Sequence, residues 1–206
     1  MHNKLIIIGA GGHGRVVADI AEKTTDYEEI LFLDDADISS TGKYRVIGKI
    51  ADYENHLEDA DFFVALGDNE LRKNVFMLLV SKKASIPTFV HPSAIVADDV
   101  TLGKGTVVIA GAVINCGANI GDAVIINTGS SVDHDCIVGS YSHIAVGARI
   151  TGEAKIGESV FIGANAVVVP DVSVCEGSIV GAGAVVIRNI TKKGIYVGIP
   201  AKQKNN

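Results

Sequence analysis

The sequence predicts two unlike domains in one chain: an α/β nucleotide-binding unit of Rossmann type over residues 1–89, then a parallel β-helix over residues 90–191. Three observations predict this. Steps of six from Val90, through Val96, Leu102, Val108 and Ile114 to Val186, land on an aliphatic residue at all seventeen positions without an insertion. Four places after nearly every one of these lies a compact residue, as at Ala112, Ala118, Ser130, Cys136, Ser142 and Ala148. Ahead of the repeat, the apolar run Lys4-Leu5-Ile6-Ile7-Ile8 leads straight into Gly9-Ala10-Gly11-Gly12-His13-Gly14 and a helical stretch, Arg15 to Lys23.

A period of six fits neither a helix nor plain alternation. It fits a β-solenoid in which each hexad supplies a short strand and a corner. Side chains alternate across a strand, so the aliphatic residue and the small residue two places before it both point inward. Three hexads close a triangle, giving a coil of about 18 residues. Seventeen hexads then make between five and six coils, each rising ~4.8 Å. Gly103, Gly121, Gly139, Gly157, Gly163 and Gly181 follow the aliphatic position and mark corners.

Composition agrees with a narrow aliphatic interior, since Trp is absent and aromatics make up 5% of the 206 residues. A net charge of −6 argues against a general nucleic-acid or membrane-surface role. No apolar run approaches the ~20 residues of a membrane span. Lys4 to Ala10 is too short for a signal peptide. Three cysteines, an odd number without metal-ligand spacing, predict a reducing cytoplasm and no structural metal.

In the first domain, strand, glycine loop and helix follow in the order that gives G-x-G-x-x-G its meaning as a phosphate-binding loop. Gly12, His13 and Gly14 are the candidate contacts, because glycines let backbone approach a ligand and a helix N-terminus offers N–H groups and partial positive charge. A second strand, Ile30 to Leu33, ends at Asp34-Asp35, placed to bind ribose hydroxyls. A third, Asp61 to Leu66, ends at Gly67-Asp68-Asn69, a further candidate contact and the cap of a helix from Glu70 to Lys82. Ile86 to Val90 reads as a fourth strand. The motif alone suggests NAD. Some 85 residues with four strands amount to one mononucleotide-binding half, so a single nucleotide is expected instead.

Repeat phase makes the polar residues of the second domain readable. Asn127 and Asp133 each follow an inward aliphatic residue and point outward. His134 falls at a corner. His143 precedes Ile144 and also faces out. Residues one coil apart stack, which places Cys116 on one side of His134 and Gly152 on the other. Gly152 is expected to leave space beside the imidazole for a ligand, and a backbone N–H near it is the candidate oxyanion donor. His134 and His143 are nine residues apart, half of an ~18-residue coil. They therefore occupy opposite sides of the prism and cannot line one pocket within a single chain. A histidine is partly free base at neutral pH and suits proton removal from an attacking amine. Cys136 takes an inward position and belongs to the core, and Cys175 has no histidine near it. Cys116 under His134 leaves a covalent route open beside direct transfer.

The segment Asn127-Thr128-Gly129-Ser130-Ser131-Val132-Asp133-His134-Asp135-Cys136 resembles a known family when taken with the glycine-rich first domain and the closing Gly198-Ile199-Pro200-Ala201-Lys202. These are the left-handed β-helix, hexapeptide-repeat acyltransferases, and within them the nucleotide-sugar acetyltransferases of the bacillosamine pathway and their sialic-acid O-acetyltransferase relatives. The resemblance implies a left-handed coil, acetyl-CoA as co-substrate, and a homotrimer with its sites between subunits. It implies N-acetylation of the 4-amino group of a UDP-linked amino sugar destined for a surface glycan or glycoprotein. O-acetylation of a sialic acid, or N-acetylation of another nucleotide-amino sugar, remains as an alternative. In residues, it implies His134 as general base, oriented by Asp135 where the family often has Glu. Asn127 would line the acceptor site. His143, Gly152, Ala164, Ala182 and Lys202 would lie along the coenzyme, with residues 192–206 as the closing tail. Two rivals stand outside the class. A non-catalytic nucleotide-sugar-binding trimer scaffold gives no reason for grouping Asn127, His134 and Asp135. An NAD-dependent oxidoreductase needs no thioester chemistry.

Overall fold

Residues 2–204 are described in a computed structural model, in which two compact units meet between Phe89 and Val90. The first contains, in chain order, β1 (Lys4–Ile8), α1 (Gly12–Thr24), β2 (Glu29–Leu33), β3 (Ser40–Thr41), β4 (Tyr44–Gly48), a 3-10 turn (Ile50–His56), β5 (Asp61–Val64) and α2 (Asn69–Ser81). Its sheet has the order β3-β4-β2-β1-β5 and is parallel except for the β3–β4 hairpin. Leu5 to Ile8 are wholly buried, as expected of a central parallel strand covered on both faces. Helix α1 buries Val17, Ala18, Ile20 and Ala21, a spacing that puts one apolar stripe against the sheet. Helix α2 starts where Asp68 accepts the Leu71 N–H at 2.9 Å, the capping expected at Gly67-Asp68-Asn69.

Two features of this unit differ from the sequence reading. The stretch from Ile86 to Val90 is not a strand of the first sheet. Only Ser85 bridges to Asp61, and Phe89–Val90 begins the solenoid ladder instead. The parallel partner of β2 on its outer side is β4, reached through the short hairpin with β3 that the sequence reading left out. Tyr44 packs its ring against Phe32 of β2 at 5.4 Å between centroids, which anchors this added strand.

From Phe89 to Val186 the described residues form seventeen two-residue strands, one per hexad. They stack into three parallel walls. The first wall carries Ile125–Ile126 and His143–Ile144, the second Ser131–Val132 and Arg149–Ile150, and the third Ile137–Val138 and Lys155–Ile156. The pairing register is eighteen residues throughout, as in Val113 opposite Ser131 and Asn119 opposite Ile137. The inward aliphatic residues and the inward small residues make one continuous core, from Val108, Ala112 and Ile114 to Ala184, Val186 and Ile190. Burying each Val or Ile side chain contributes about 1.5–3 kcal/mol relative to exposure. The repeat therefore adds stability coil by coil, without needing the large aromatics of a globular core.

The tail does more than close the domain. Ile195–Val197 pairs parallel with Ile179–Val180 and extends the first wall by one strand. Lys202–Gln203 then reverses and pairs antiparallel with it. Asn205 and Asn206, the end of the expected tail, lie outside the described residues. Among those described, no helix is long and apolar enough to cross a membrane.

The glycines at the corner between the third and first walls are set by close backbone approach. A Cβ at Gly139 would lie 2.6 Å from the Glu158 nitrogen and the Gly157 carbonyl carbon. At Gly67 a Cβ would meet nothing within 4 Å. Gly139→Ala is expected to destabilise the protein by about 1–3 kcal/mol through overpacking. Gly67→Ala should stay within about 0.5 kcal/mol of the parent. Denaturant unfolding of the two variants side by side checks the difference.

Candidate active site

The glycine loop of the first unit is held from below by Asp34. One carboxylate oxygen accepts the Ala10 N–H at 2.6 Å and the other accepts the Ala36 N–H at 2.8 Å. The Thr41 hydroxyl donates to the Ala10 carbonyl at 2.7 Å, so the hairpin missed in the sequence also fastens this loop. Asp35 accepts the Ile50 N–H at 3.0 Å. Both acidic residues expected at a ribose thus hold backbone, and a cavity of about 470 Å³ opens beside them, lined by Asp34, Ala36, Ile38, Val46 and Lys49 among others.

Helix α1 begins at Gly12, with Gly11 as its cap, so Gly12, His13 and Gly14 form its first turn. Their surroundings differ. A Cβ at Gly12 would meet nothing within 4 Å, which leaves the helix end open to a ligand. A Cβ at Gly14 would strike the Gly9 carbonyl oxygen and come within 3.0 Å of the Phe32 ring, so this glycine packs the helix onto its loop. His13 carries a buried Nε2 with no hydrogen-bond partner among the described residues. Burial, with the positive Arg72 nearby, pushes its pKa down to about 4, so the ring is neutral. Arg72 was not legible in the sequence. Its guanidinium is buried, donates to the Leu66 carbonyl at 2.8 Å and to Asn69 Oδ1 at 2.7 Å, and fixes the turn that contains Gly67. Burial lowers its pKa to about 10 while Asp68 opposes the shift.

In the second unit His134 stands where the repeat phase put it, at the corner between the second and third walls. The column is Cys116, His134, Gly152: the Asp135 N–H donates to the Cys116 carbonyl and the Glu153 N–H to the His134 carbonyl. His134 Nδ1 lies 2.9 Å from Asp135 Oδ2. The shorter carboxylate therefore reaches the ring. That bond leads the causes that raise the His134 pKa, with the charges of Asp133, Asp135 and Glu153 adding to it and desolvation opposing. Gly152 differs from expectation in its reason. A Cβ there would lie 2.6 Å from His134 Nε2 and 2.7 Å from Cε1, so the space it leaves is occupied by the imidazole itself. Gly117 does the same for Asp135, whose carboxylate would collide with a side chain at that position.

Asn127 is not part of this corner. It lies between the first and second walls, where its side-chain nitrogen is 3.0 Å from His143 Nε2. Asn127 Oδ1 accepts the Thr128 N–H at 2.8 Å, which leaves the amide NH₂ to donate to the histidine. His143 also packs edge-on against Phe161 at 5.1 Å. Ala164 and Ala182 occupy successive coils of the same corner as Asn127, with the Gly183 N–H donating to the Ala164 carbonyl. Lys202 sits on the reversed strand at the end of the first wall and helps line a cavity of about 270 Å³ with Arg188, Tyr196 and Pro200. The expected site residues of the solenoid thus fall on two separate edges: His134, Asp135 and Gly152 on one, Asn127, His143, Ala164 and Ala182 along the other. Cys136 is buried in the core, its thiol pushed up in pKa by burial, and Cys116 is exposed. Among the described residues no group of three or more His, Cys, Asp or Glu side chains is arranged to hold a metal ion.

Residues 4–79 match the family described as the PglD N-terminal domain, and residues 153–188 match the bacterial transferase hexapeptide repeats. Across 98% of its length the chain is 39% identical to the acetyltransferase domain of PglB from Neisseria gonorrhoeae FA1090, covering all of that domain at a TM-score of 0.96. The chain belongs to the hexapeptide-repeat nucleotide-sugar acetyltransferases. A structure of perosamine N-acetyltransferase from Caulobacter crescentus, solved with CoA and GDP-perosamine, is 35% identical over 98% of this chain and 97% of that one, with a TM-score of 0.93. The UDP-N-acetylbacillosamine N-acetyltransferase of Bacillus subtilis (strain 168) is 35% identical over 108 residues, half of this chain and half of that protein.

The dyad has a titration signature. Asp135 favours the protonated ring, so the His134 pKa lies above the ordinary value near 6.5. Asp135→Asn should move it down. An NMR titration of the imidazole resonances in both proteins checks the direction, and an unchanged or raised value in the variant contradicts the assignment.

Proposed function

We propose that this acetyltransferase moves the acetyl group of acetyl-CoA onto the 4-amino group of a UDP-linked amino sugar, with His134 as the general base. The single observation that carries the reading is the His134–Asp135 pair, exposed on a solenoid edge with Nδ1 engaged and Nε2 left as the basic nitrogen. The full-length likeness to acetyltransferase structures solved with acetyl-CoA or with CoA and an amino-sugar nucleotide supports the choice of substrates.

The chemistry follows from the groups. The neutral sugar amine attacks the thioester carbonyl carbon, and a C–N bond forms as its proton passes to His134 Nε2. Asp135 holds the Nδ1–H and stabilises the imidazolium. The tetrahedral intermediate then breaks its C–S bond, and the imidazolium returns the proton to the departing thiolate, leaving the acetamide and CoA. A positioned base of this kind contributes about 10²–10⁴-fold, and holding the two substrates together contributes more. In the first unit the open end of α1 at Gly12, the neutral His13 and the cavity beside Asp34 would receive the nucleotide diphosphate and its sugar. A GDP-linked 4-amino sugar is the second reading, favoured by the nearly equal full-length identity to the perosamine enzyme.

The test is CoA release from acetyl-CoA offered with a panel of UDP-, GDP- and CMP-linked sugars. One UDP-4-amino sugar should be turned over well above the rest, and His134→Ala should lower its kcat by about 10²–10⁴-fold with acetyl-CoA affinity nearly unchanged. Wild-type turnover in that variant removes His134 as the base.

The placement of the two histidines supports a homotrimer. His134 and the Asn127–His143 pair occupy different edges of one prism. If both serve one reaction, neighbouring subunits supply them, and a ring of three satisfies this with three equal clefts. Inactive His134→Ala and His143→Ala proteins, dissociated and reassociated together, should regain part of the activity. No recovery after exchange confirmed by mass spectrometry rejects the shared cleft.

A further inference from the structure

His134 is anchored by a chain of contacts from the preceding coil that the reaction itself does not call for. Asn115 and Asp133 occupy equivalent positions one coil apart, each directly after an inward aliphatic residue. The Asn115 side-chain nitrogen donates to Asp133 Oδ1 at 2.7 Å, and the same oxygen accepts the backbone N–H of His134 at 2.9 Å. The backbone of Asp133 is fixed from the other side, its N–H donating to the Ile150 carbonyl at 2.9 Å. At the next equivalent position Thr151 turns away and donates its hydroxyl to the Val168 carbonyl, so the side-chain ladder stops at Asp133. The two bonds to Oδ1 favour the ionised carboxylate and hold its pKa below the usual range.

We infer that Asn115 and Asp133 are a positioning pair for His134, Asn115 locking the Asp133 carboxylate so that it pins the His134 backbone and sets a fixed negative charge beside the ring. The physical need is plain. The His134 side chain is half exposed. Its direction is set by the backbone it grows from, by the Asp135 bond to Nδ1 and by the surface of Gly152 under Nε2. A small rotation of that backbone would carry Nε2 away from an amine held elsewhere, and misplacement on this scale is costly to catalysis. The charged groups facing the ring are Asp133 and Asp135 from its own coil and Glu153 from the next. On the preceding side the column presents Cys116 and then Asp98, while in the adjacent column of Asp135 the Asp99 carboxylate accepts the Gly117 N–H at 3.1 Å. Of the facing carboxylates, Asp133 is the one bonded to both the preceding coil and the His134 backbone.

The inference rests on His134 being the base, and its test has one arm that does not depend on turnover. Three single variants and one double variant are compared. Asn115→Ala removes the lock. Asp133→Asn keeps an acceptor oxygen for both donors but removes the charge. Asp133→Ala removes both functions. With the substrate found in the panel, Asn115→Ala should lose about threefold to tenfold in kcat with both KM values unchanged, and Asp133→Ala should lose more. The double variant Asn115→Ala with Asp133→Ala should be no worse than Asp133→Ala alone, because the first residue acts through the second. Asp133→Asn should keep the plateau kcat within about twofold of wild type while its acid limb moves to lower pH, since less negative charge favours the neutral ring.

The independent arm is an NMR titration of the His134 ring. Its pKa should fall in Asp133→Asn, and its resonances should broaden or shift in Asn115→Ala. A merely structural pair would lower the unfolding midpoint while leaving kcat per folded enzyme, the acid limb and the ring titration as in wild type, and that result overturns the inference. Should His134→Ala retain full turnover, the base reading fails by itself, and the titration still reports whether Asn115 and Asp133 hold the ring.

Discussion

Backbone hydrogen bonds between strands eighteen residues apart are the constraint on which the rest of the second unit depends. Once that register is fixed, every side chain has two known neighbours, one from the coil before and one from the coil after. The interior then tolerates only residues that fill the same small volume in each layer, which is why aliphatic and compact residues recur without interruption. The exterior obeys the same rule with different consequences. An outward side chain larger than its neighbour allows must find an empty place above or below. His134 and Asp135 find theirs over Gly152 and Gly117. The dyad is therefore built by three coils, of which only one supplies the titrating groups.

The first unit solves another problem, how to leave polar groups unused without losing the fold. A buried hydrogen-bonding atom without a partner carries a desolvation cost of about 1–3 kcal/mol. His13 Nε2 is such an atom, and it sits in the first turn of α1 where Gly12 leaves the helix end open. The surrounding backbone is tied in place, because Asp34 and Thr41 both hold Ala10 and Arg72 holds the Leu66 carbonyl. The unit spends carboxylates and a guanidinium on rigidity, and a bound ligand would satisfy what the protein leaves open.

The solenoid was legible in the sequence because each coil repeats the same inward demand, and hexad phase alone gave the corner position of His134 and the stacking of Gly152 against it. What the phase could not give was the use of the space. Asn127 and His134 are seven residues apart and look like neighbours, yet the intervening strand Ser131–Val132 carries them to different edges, and the partner of Asn127 is His143. The β3–β4 hairpin escaped because β3 has only two residues, Lys43 sits in the turn and Arg45 interrupts the apolar pattern of β4. Its traces were Gly42 at the turn and the alternation of Tyr44 and Val46. Nothing in a helical pattern marks Arg72 as buried, since an arginine beside Leu71 ordinarily faces water. Ile86 to Val90 has strand-forming residues, but its end was claimed by the longer ladder that begins at Phe89.

The reversed strand Lys202–Gln203 has a consequence for how the molecule behaves in concentrated solution. A stack of identical parallel rungs has no internal reason to stop, and its last rung offers an edge onto which another chain could add. Here the last parallel rung of the first wall, Ile195–Val197, is covered by a strand running the other way and bearing a lysine. An antiparallel, charged rung breaks both the direction and the six-residue pattern that a further coil would have to match. The same geometry that lets the protein lengthen coil by coil is thus given a terminator on the wall that carries His143, and growth into filaments is discouraged there by strand direction together with the lysine.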